Sequence, residues 1–229
     1  MNRSTDPLAG AAAARADILQ RVTAGVGRGD AASRRAAAEA LLAARRRGPQ
    51  PAIGDDLAAR FCERAGSLAS SIARVDRRDQ APAAVAGWLQ AQGLPLQAAI
   101  SGELADLDWA GAGLLTAVRG AVDADFVGIT GVFCAVAETG TLLLHSSPQT
   151  PASLSLLPET HIALLPVSRL VATMEDAFAR VRAEACGDGC LPRALNFISG
   201  PSRTGDIEQT IVLGAHGPCR VHIVLLGDA

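Results

Sequence analysis

The chain predicts an α/β domain with a largely parallel sheet. Three observations point there. From residue 55 onward, short runs rich in Val, Ile and Leu alternate with helical patterns. Strands separated by helices pair in parallel, because the crossover carries the chain back to the same end of the sheet. The runs at 126–137 and 161–167 are apolar almost throughout rather than at every second residue, which suits strands covered on both faces. With 229 residues, 49% of them hydrophobic, the chain is long enough for one well-buried domain and a small appendage.

The appendage comes first, over residues 1–50. Asp6-Pro7 reads as a cap followed by proline at the first helical position, and Leu8, Ile18, Leu19 and Val22 mark a helix ending near Gly25–Gly29. Asp30 caps a second helix through Leu41 and Leu42 to Arg47, stopped by Gly48-Pro49-Gln50-Pro51. Both are Ala- and Arg-rich, so their apolar stripe is thin. They need either a partner surface or the main domain to cover it.

The main domain occupies residues 51–229. Asp55 and Asp56 open a helix through Phe61 and Cys62, and 70–75 suits a strand. A helix from Gln80-Ala81-Pro82 runs to Gly93, followed by short strands at 97–101 and 114–118. Residues 125–130 read as a buried strand, while 132–137 reads as strand or helical turn, since periodicity does not separate the two. Strands follow at 141–145 and 161–167, with a short helix at 151–157 between them. A helix over 174–185 turns Phe178 and Val181 inward. After a loop at Cys186–Pro192 come a strand at 194–198, a polar Gly/Pro turn at 199–206, an extended or partly helical stretch at 207–214 and a final strand at 221–226.

Composition excludes several chemistries. All 21 basic residues are arginine and there is no tyrosine. Without lysine there is no Schiff base, no phosphate loop ending in Gly-Lys-Ser/Thr and no kinase lysine. With 3% aromatic residues there is little for stacking single-stranded nucleic acid. The net charge of −2 also argues against a general nucleic-acid binder, although the balance is uneven. Residues 1–78 hold 14 Arg against 8 acids, and residues 79–229 hold 7 Arg against 15. The basic front is either a docking surface or a solvated pair of helices. No apolar stretch reaches the ~20 residues of a membrane span, and MNRSTDPLAG lacks an apolar signal core. Five cysteines, an odd number, do not suggest a secreted disulfide framework. The expectation is a cytoplasmic protein with free thiols.

Two polar clusters stand out. The first, Ser199-Gly200-Pro201-Ser202-Arg203-Thr204-Gly205-Asp206-Ile207-Glu208, directly follows what reads as a buried strand, and ligands in α/β sheets bind beyond the carboxyl ends of strands. Gly200 allows close backbone approach, Ser202 and Thr204 supply hydroxyls, and Arg203 offers a fork for carboxylate or phosphate. Asp206 and Glu208 would hold that arginine or act on a proton. The bland alternative is a turn whose polar groups satisfy one another. The second cluster is Ala137-Glu138-Thr139-Gly140-Thr141. A carboxylate buried there needs a partner, with Arg203 a candidate, and would act as base, nucleophile or metal ligand; otherwise Glu138 sits at the surface of a strand turn. His216, between glycines in Gly214-Ala215-His216-Gly217-Pro218, would carry a proton near neutral pH. His145 and His222 fall in strand patterns and read as structural or surface residues. No histidine has zinc-site spacing, and Cys186-x3-Cys190 is a weak metal signal that falls short of an iron–sulfur ligand set.

Together with Ser155-Leu156-Leu157-Pro158-Glu159-Thr160-His161-Ile162, these motifs resemble the lactate utilization protein C family, also called the LUD domain, over roughly residues 55–229. The resemblance implies a three-layer α/β/α fold with a mainly parallel central sheet, like the ribose-phosphate isomerase and CoA-transferase group. It also implies a role in oxidising L-lactate to pyruvate with two partner proteins. In that system the iron–sulfur clusters belong to the partners, and this chain has no cofactor of its own. On this reading Arg203 binds the lactate carboxylate with Ser202 and Thr204 beside it, with Ser199, Gly200 and Thr139 in the site. His216 or Glu138 takes the hydroxyl proton. The alternatives are a stand-alone enzyme on a phosphosugar or CoA ester with Glu138 as nucleophile or base, and a non-catalytic assembly protein docking through its basic helices.

Overall fold

The structure is a computed structural model. It describes residues 7–26, 30–185, 191–207 and 210–227, with backbone alone at 7–9, 206–207 and 210–211. The Asp6 cap, Cys186, Cys190 and Glu208 lie outside the described residues. The chain divides into two compact units, Met1–Pro49 and Gln50–Ala229.

The first unit holds helices α1 (Pro7–Val26) and α2 (Ala31–Ala44). Asp30 caps α2, its carboxylate accepting from the N–H groups of Ala32 and Ser33 at 3.2 and 2.9 Å. Alanine has the highest helix propensity, which supports helices that bury little. Every described side chain of both helices is exposed, including Ile18 at 58% and Leu42 at 74%.

In the second unit the order is α3 (Leu57–Ser67), β1 (Ser71–Val75), α4 (Ala81–Ala91), β2 (Gln97–Ile100), β3 (Leu115–Val118), β4 (Val127–Gly131), β5 (Cys134–Val136) and β6 (Thr141–His145). Then follow α5 (Ser153–Leu156), β7 (Thr160–Pro166), β8 (Leu170–Val171), α6 (Met174–Arg180), β9 (Leu195–Ile198), β10 (Arg203–Ile207), β11 (Thr210–Leu213) and β12 (Arg220–Leu226). Six strands form the central sheet in the order β1-β12-β7-β4-β2-β3. Every pairing in it is parallel. The fold is therefore mixed α/β, a six-stranded parallel sheet flanked by helices.

Alternation along the strands builds two cores. Ile129, Ile162, Leu164 and Val224 pack on one face with Val85 and Leu89 of α4. Ala163, Leu165, Val221 and Ile223 point to the other face, against Phe61 and Ala65 of α3. Asp56 starts α3, its Oδ1 accepting from the Ala59 N–H at 2.8 Å. Asp56→Ala should lower the unfolding free energy by about 1 kcal/mol, the usual loss of an N-cap. Chemical denaturation would check it, and an unchanged midpoint would show that the cap contributes nothing.

The second face is covered further by a four-stranded sheet in the order β8-β5-β6-β9. Ala135, Leu142 and Leu144 face the central sheet, whereas Cys134, Val136 and Leu143 pack against Ala177 and Val181. Covered on both faces, the ambiguous run at 132–137 is strand at its centre, Cys134–Val136, with no helical turn before it. Three other local expectations change. Helix α6 gives way to a π-helical turn at Val181–Ala185. Phe178 is not inward: it is 40% exposed and packs on Phe197 at 5.6 Å between ring centroids. The polar stretch after Ser199 does not stay a turn, because residues from Arg203 onward form β10, antiparallel to β11.

Candidate functional site

The two clusters meet. Thr139 Oγ1 lies 2.7 Å from Thr141 Oγ1, which lies 2.8 Å from Ser199 Oγ, so a chain of hydroxyls joins the β5–β6 turn to the segment after β9. Gly200 presses against the Leu68 carbonyl, where a Cβ would come within 2.2 Å of the oxygen. Arg203 donates from Nη2 to that same carbonyl at 3.0 Å. Ser202 is strapped to the His216 turn: its N–H donates to the Pro218 carbonyl at 2.8 Å, and its own carbonyl accepts from the Gly214 N–H at 2.9 Å. Thr204 sits in β10 opposite Val212. The backbone of Asp206 is in the same strand, and its side chain lies outside the described residues.

This cluster is not beyond the carboxyl end of a parallel strand. Strand β9 is the half-buried edge of the second sheet and runs antiparallel to β6. Leu68 precedes β1 and Pro218 precedes β12, so the cluster lies at the amino-terminal edge of the central sheet. Glu138 is half-buried, which lets water share its charge, and its backbone N–H donates to the Ala172 carbonyl at 3.1 Å. Among the described residues no ion pair joins it to Arg203. Two hollows open at this edge. One, of about 450 Å³, is lined by Arg203, Ala69, Pro201, Leu213 and Cys219. The other, of about 520 Å³, holds His216 and shares the Leu213 and Cys219 walls.

A cavity of about 370 Å³ lies at the opposite edge, where β4, β7 and β12 end at Gly131, Pro166 and Leu226. Its polar lining is Arg78, Glu103, His145, Thr150, Arg169 and Glu184. None of these is a candidate site residue from sequence alone, and His145 reads there as a structural or surface residue. The available signal was position: Arg78 follows β1 by three residues, and Glu103 follows β2 by three.

The other strand histidines are interior. His161 shares a hydrogen bond through Nε2 with Thr130 Oγ1 at 2.9 Å, and burial pushes its pKa down to about 4. His222 stacks on Trp88 at 4.2 Å and meets Ser71 Oγ through Nδ1 at 2.8 Å. There desolvation outweighs a hydrogen bond with the Ser71 backbone and brings the pKa to about 4. Burial pushes the Cys134 thiol up to about 11, which makes it inert as a nucleophile. Among the described residues no three His, Cys, Asp or Glu side chains are grouped to hold a metal ion. No described helix is long and apolar enough to cross a membrane.

The LUD domain model matches residues 59–226, which takes in the central sheet, the second sheet and both edges. This chain belongs to the LUD domain family. Among similar proteins, lactate utilization protein C of Shouchella clausii is 45% identical over 102 residues, 44% of each chain. The Bacillus subtilis protein of the same name is 40% identical over 102 residues, 44% of this chain and 42% of that one. An uncharacterized protein of Neisseria meningitidis is 42% identical over 91 residues, 40% of this chain and 38% of that one. These matches span less than half the length of the curated relatives. The crystal structure of a DUF162 family protein from Deinococcus radiodurans superposes with a TM-score of 0.56 at 22% identity. It covers 75% of this chain and 97% of that one, and it establishes likeness of fold.

Proposed function

We propose that this LUD-domain chain works in lactate utilization, as a cytoplasmic component that binds L-lactate while partner proteins carry the electrons in iron–sulfur clusters. The similarity to proteins named lactate utilization protein C carries this reading. The amino-edge hollows support it chemically. Lactate has a carboxylate, a hydroxyl and a methyl group. Arg203 spends one N–H on the Leu68 carbonyl, leaving the rest of its fork for a carboxylate. Ala69, Pro201 and Leu213 line the same hollow and suit the methyl. His216, across the shared Leu213 and Cys219 walls, accepts the hydroxyl proton. Oxidation to pyruvate also releases the C2 hydrogen as a second proton, which would pass to water, and two electrons, which the partners' iron–sulfur clusters would take one at a time. The hydroxyl chain from Thr139 through Thr141 to Ser199 steadies the segment that presents Arg203, whereas Glu138 lines neither hollow.

With the two partners reconstituted, Arg203→Ala should raise the KM for L-lactate about 10- to 100-fold, the scale of a lost charge-assisted contact. Unchanged lactate kinetics would remove Arg203 from the site. A second reading, assembly without catalysis, is favoured by α1 and α2, whose apolar side chains are exposed. Deleting residues 1–49 should then abolish partner binding, and retained binding would place docking elsewhere.

A further inference from the structure

We propose that the carboxyl-edge cavity is a second ligand site, built for a small anion that also carries a hydroxyl group. This goes beyond the lactate reading, which rests on the opposite edge of the sheet. Position is the first argument: parallel strands open a crevice at their carboxyl ends, and here the ends of β4, β7 and β12 form the floor. The second is composition. Leu104, Val132, Leu144 and Leu164 wall the cavity, and the charged groups converge from separate segments. A few placed polar groups over an apolar floor are what holds a small molecule in one orientation.

The third argument is charge. On the second-sheet side, the Glu184 carboxylate accepts from Arg169 at 2.6 Å and from Arg180 at 2.8 Å. Two guanidiniums share one carboxylate, which leaves that side positive. On the other side, Arg78 is engaged by Asp106 at 2.8 Å and by the Glu103 carbonyl at 2.9 Å. The Glu103 carboxylate adds a further negative charge there. An anion seats at Arg169, and a hydrogen-bond donor seats at Glu103.

Glu103 is fixed for that task. Its Oε1 accepts from the Gly131 N–H at 3.1 Å and from the hydroxyls of Thr150 and Ser101, each at 3.3 Å. A Cβ at residue 131 would come within 2.5 Å of that oxygen, so glycine at the end of β4 gives the carboxylate its seat. With Oε1 occupied, Oε2 remains to accept the ligand hydroxyl. His145, also on the wall, is held edge-on to Phe133 at 5.0 Å between ring centroids, which leaves its nitrogens to the ligand.

The test is calorimetric titration in the Arg203→Ala background, where the amino-edge site is silenced. Glycerate and glycerol 3-phosphate are the hydroxylated probes, one carboxylate and one phosphate. Acetate and inorganic phosphate are their plain counterparts. At least one hydroxylated probe should bind about tenfold more tightly than its counterpart, the scale of one hydrogen bond to a charged group. Glu103→Gln should erase that difference, and Arg169→Gln should weaken every binding probe about tenfold. Circular dichroism confirms that each variant is folded, and His145→Ala gives a second measure that leaves the ion pairs intact. No binding of any probe, equal affinity for hydroxylated and plain anions, or affinities unmoved by Glu103→Gln, Arg169→Gln and His145→Ala would each overturn the proposal. Because lactate oxidation is read separately through Arg203, either site can fail without the other.

Discussion

Acidification from neutrality to about pH 4 is expected to strip several kcal/mol from the stability of this fold through two interior histidines. His161 and His222 have ordinary values of 6.5 when unfolded and about 4 when folded, both lowered chiefly by burial. Between those values the unfolded chain binds protons that the folded chain refuses. Stability therefore rises with pH across the window: it is fully present above about pH 6.5 and lost as pH falls toward 4. Each histidine contributes about 3 kcal/mol at the full shift. Urea unfolding at a series of pH values would show the slope, and the double variant His161→Gln/His222→Gln should flatten it. Glutamine keeps a hydrogen-bonding group for Thr130 and Ser71 without a titrating ring. An unaltered slope in that variant would assign acid sensitivity to the carboxylates instead.

Gly140→Ala is the second large effect. Residue 140 sits at φ 69°, and a Cβ there would come within 2.4 Å of the Ala65 nitrogen and 2.7 Å of the Arg64 carbonyl carbon. Both atoms are backbone of α3, which yields only if the whole helix shifts. The left-handed conformation alone costs about 1–2 kcal/mol for alanine, and forcing a packed interface apart adds about 1–3 kcal/mol. Gly54→Ala is the control, because residue 54 has φ 79° with nothing within 4 Å of the added carbon. Gly140→Ala should shift the denaturation midpoint well beyond Gly54→Ala. Equal shifts would mean that α3 rides loosely on the second sheet. The displacement would also disturb the neighbouring hydroxyl chain at Thr141 and Ser199.

Local signals in the sequence were strong where one residue type has one physical use. Asp30 and Asp56 are helix caps in the structure because their short carboxylates reach backbone N–H groups that nothing else satisfies. The strand–helix alternation likewise announced the parallel sheet. The second sheet was hidden for the opposite reason. Cys134, Ala135 and Val136 are all fully buried, so no alternation separates strand from turn. Strand β10 was masked by its Thr, Gly and Asp content, which in isolation favours a turn. At the site, Thr139 and Ser199 could be picked out by residue type, and their hydroxyls do meet through Thr141. The carboxyl-edge cavity could not be found that way. Arg78, Glu103, His145 and Arg169 each sit in an unremarkable local sequence and become a group only when separate strands end together.

The position of β12 has a kinetic consequence. It lies between β1 and β7, so Ser71 and His222, neighbours in the sheet, are separated by 151 residues of chain. Among the described residues, β1 pairs in the sheet with no strand except β12. Until β12 arrives, β1 and β7 expose unpaired edges, and α3 and α4 can only partly seat. Such non-local closure slows folding and lengthens the time in which open edges can pair with other chains. For a ribosome-bound chain, aggregation risk is therefore concentrated in the interval before residues 220–226 are released.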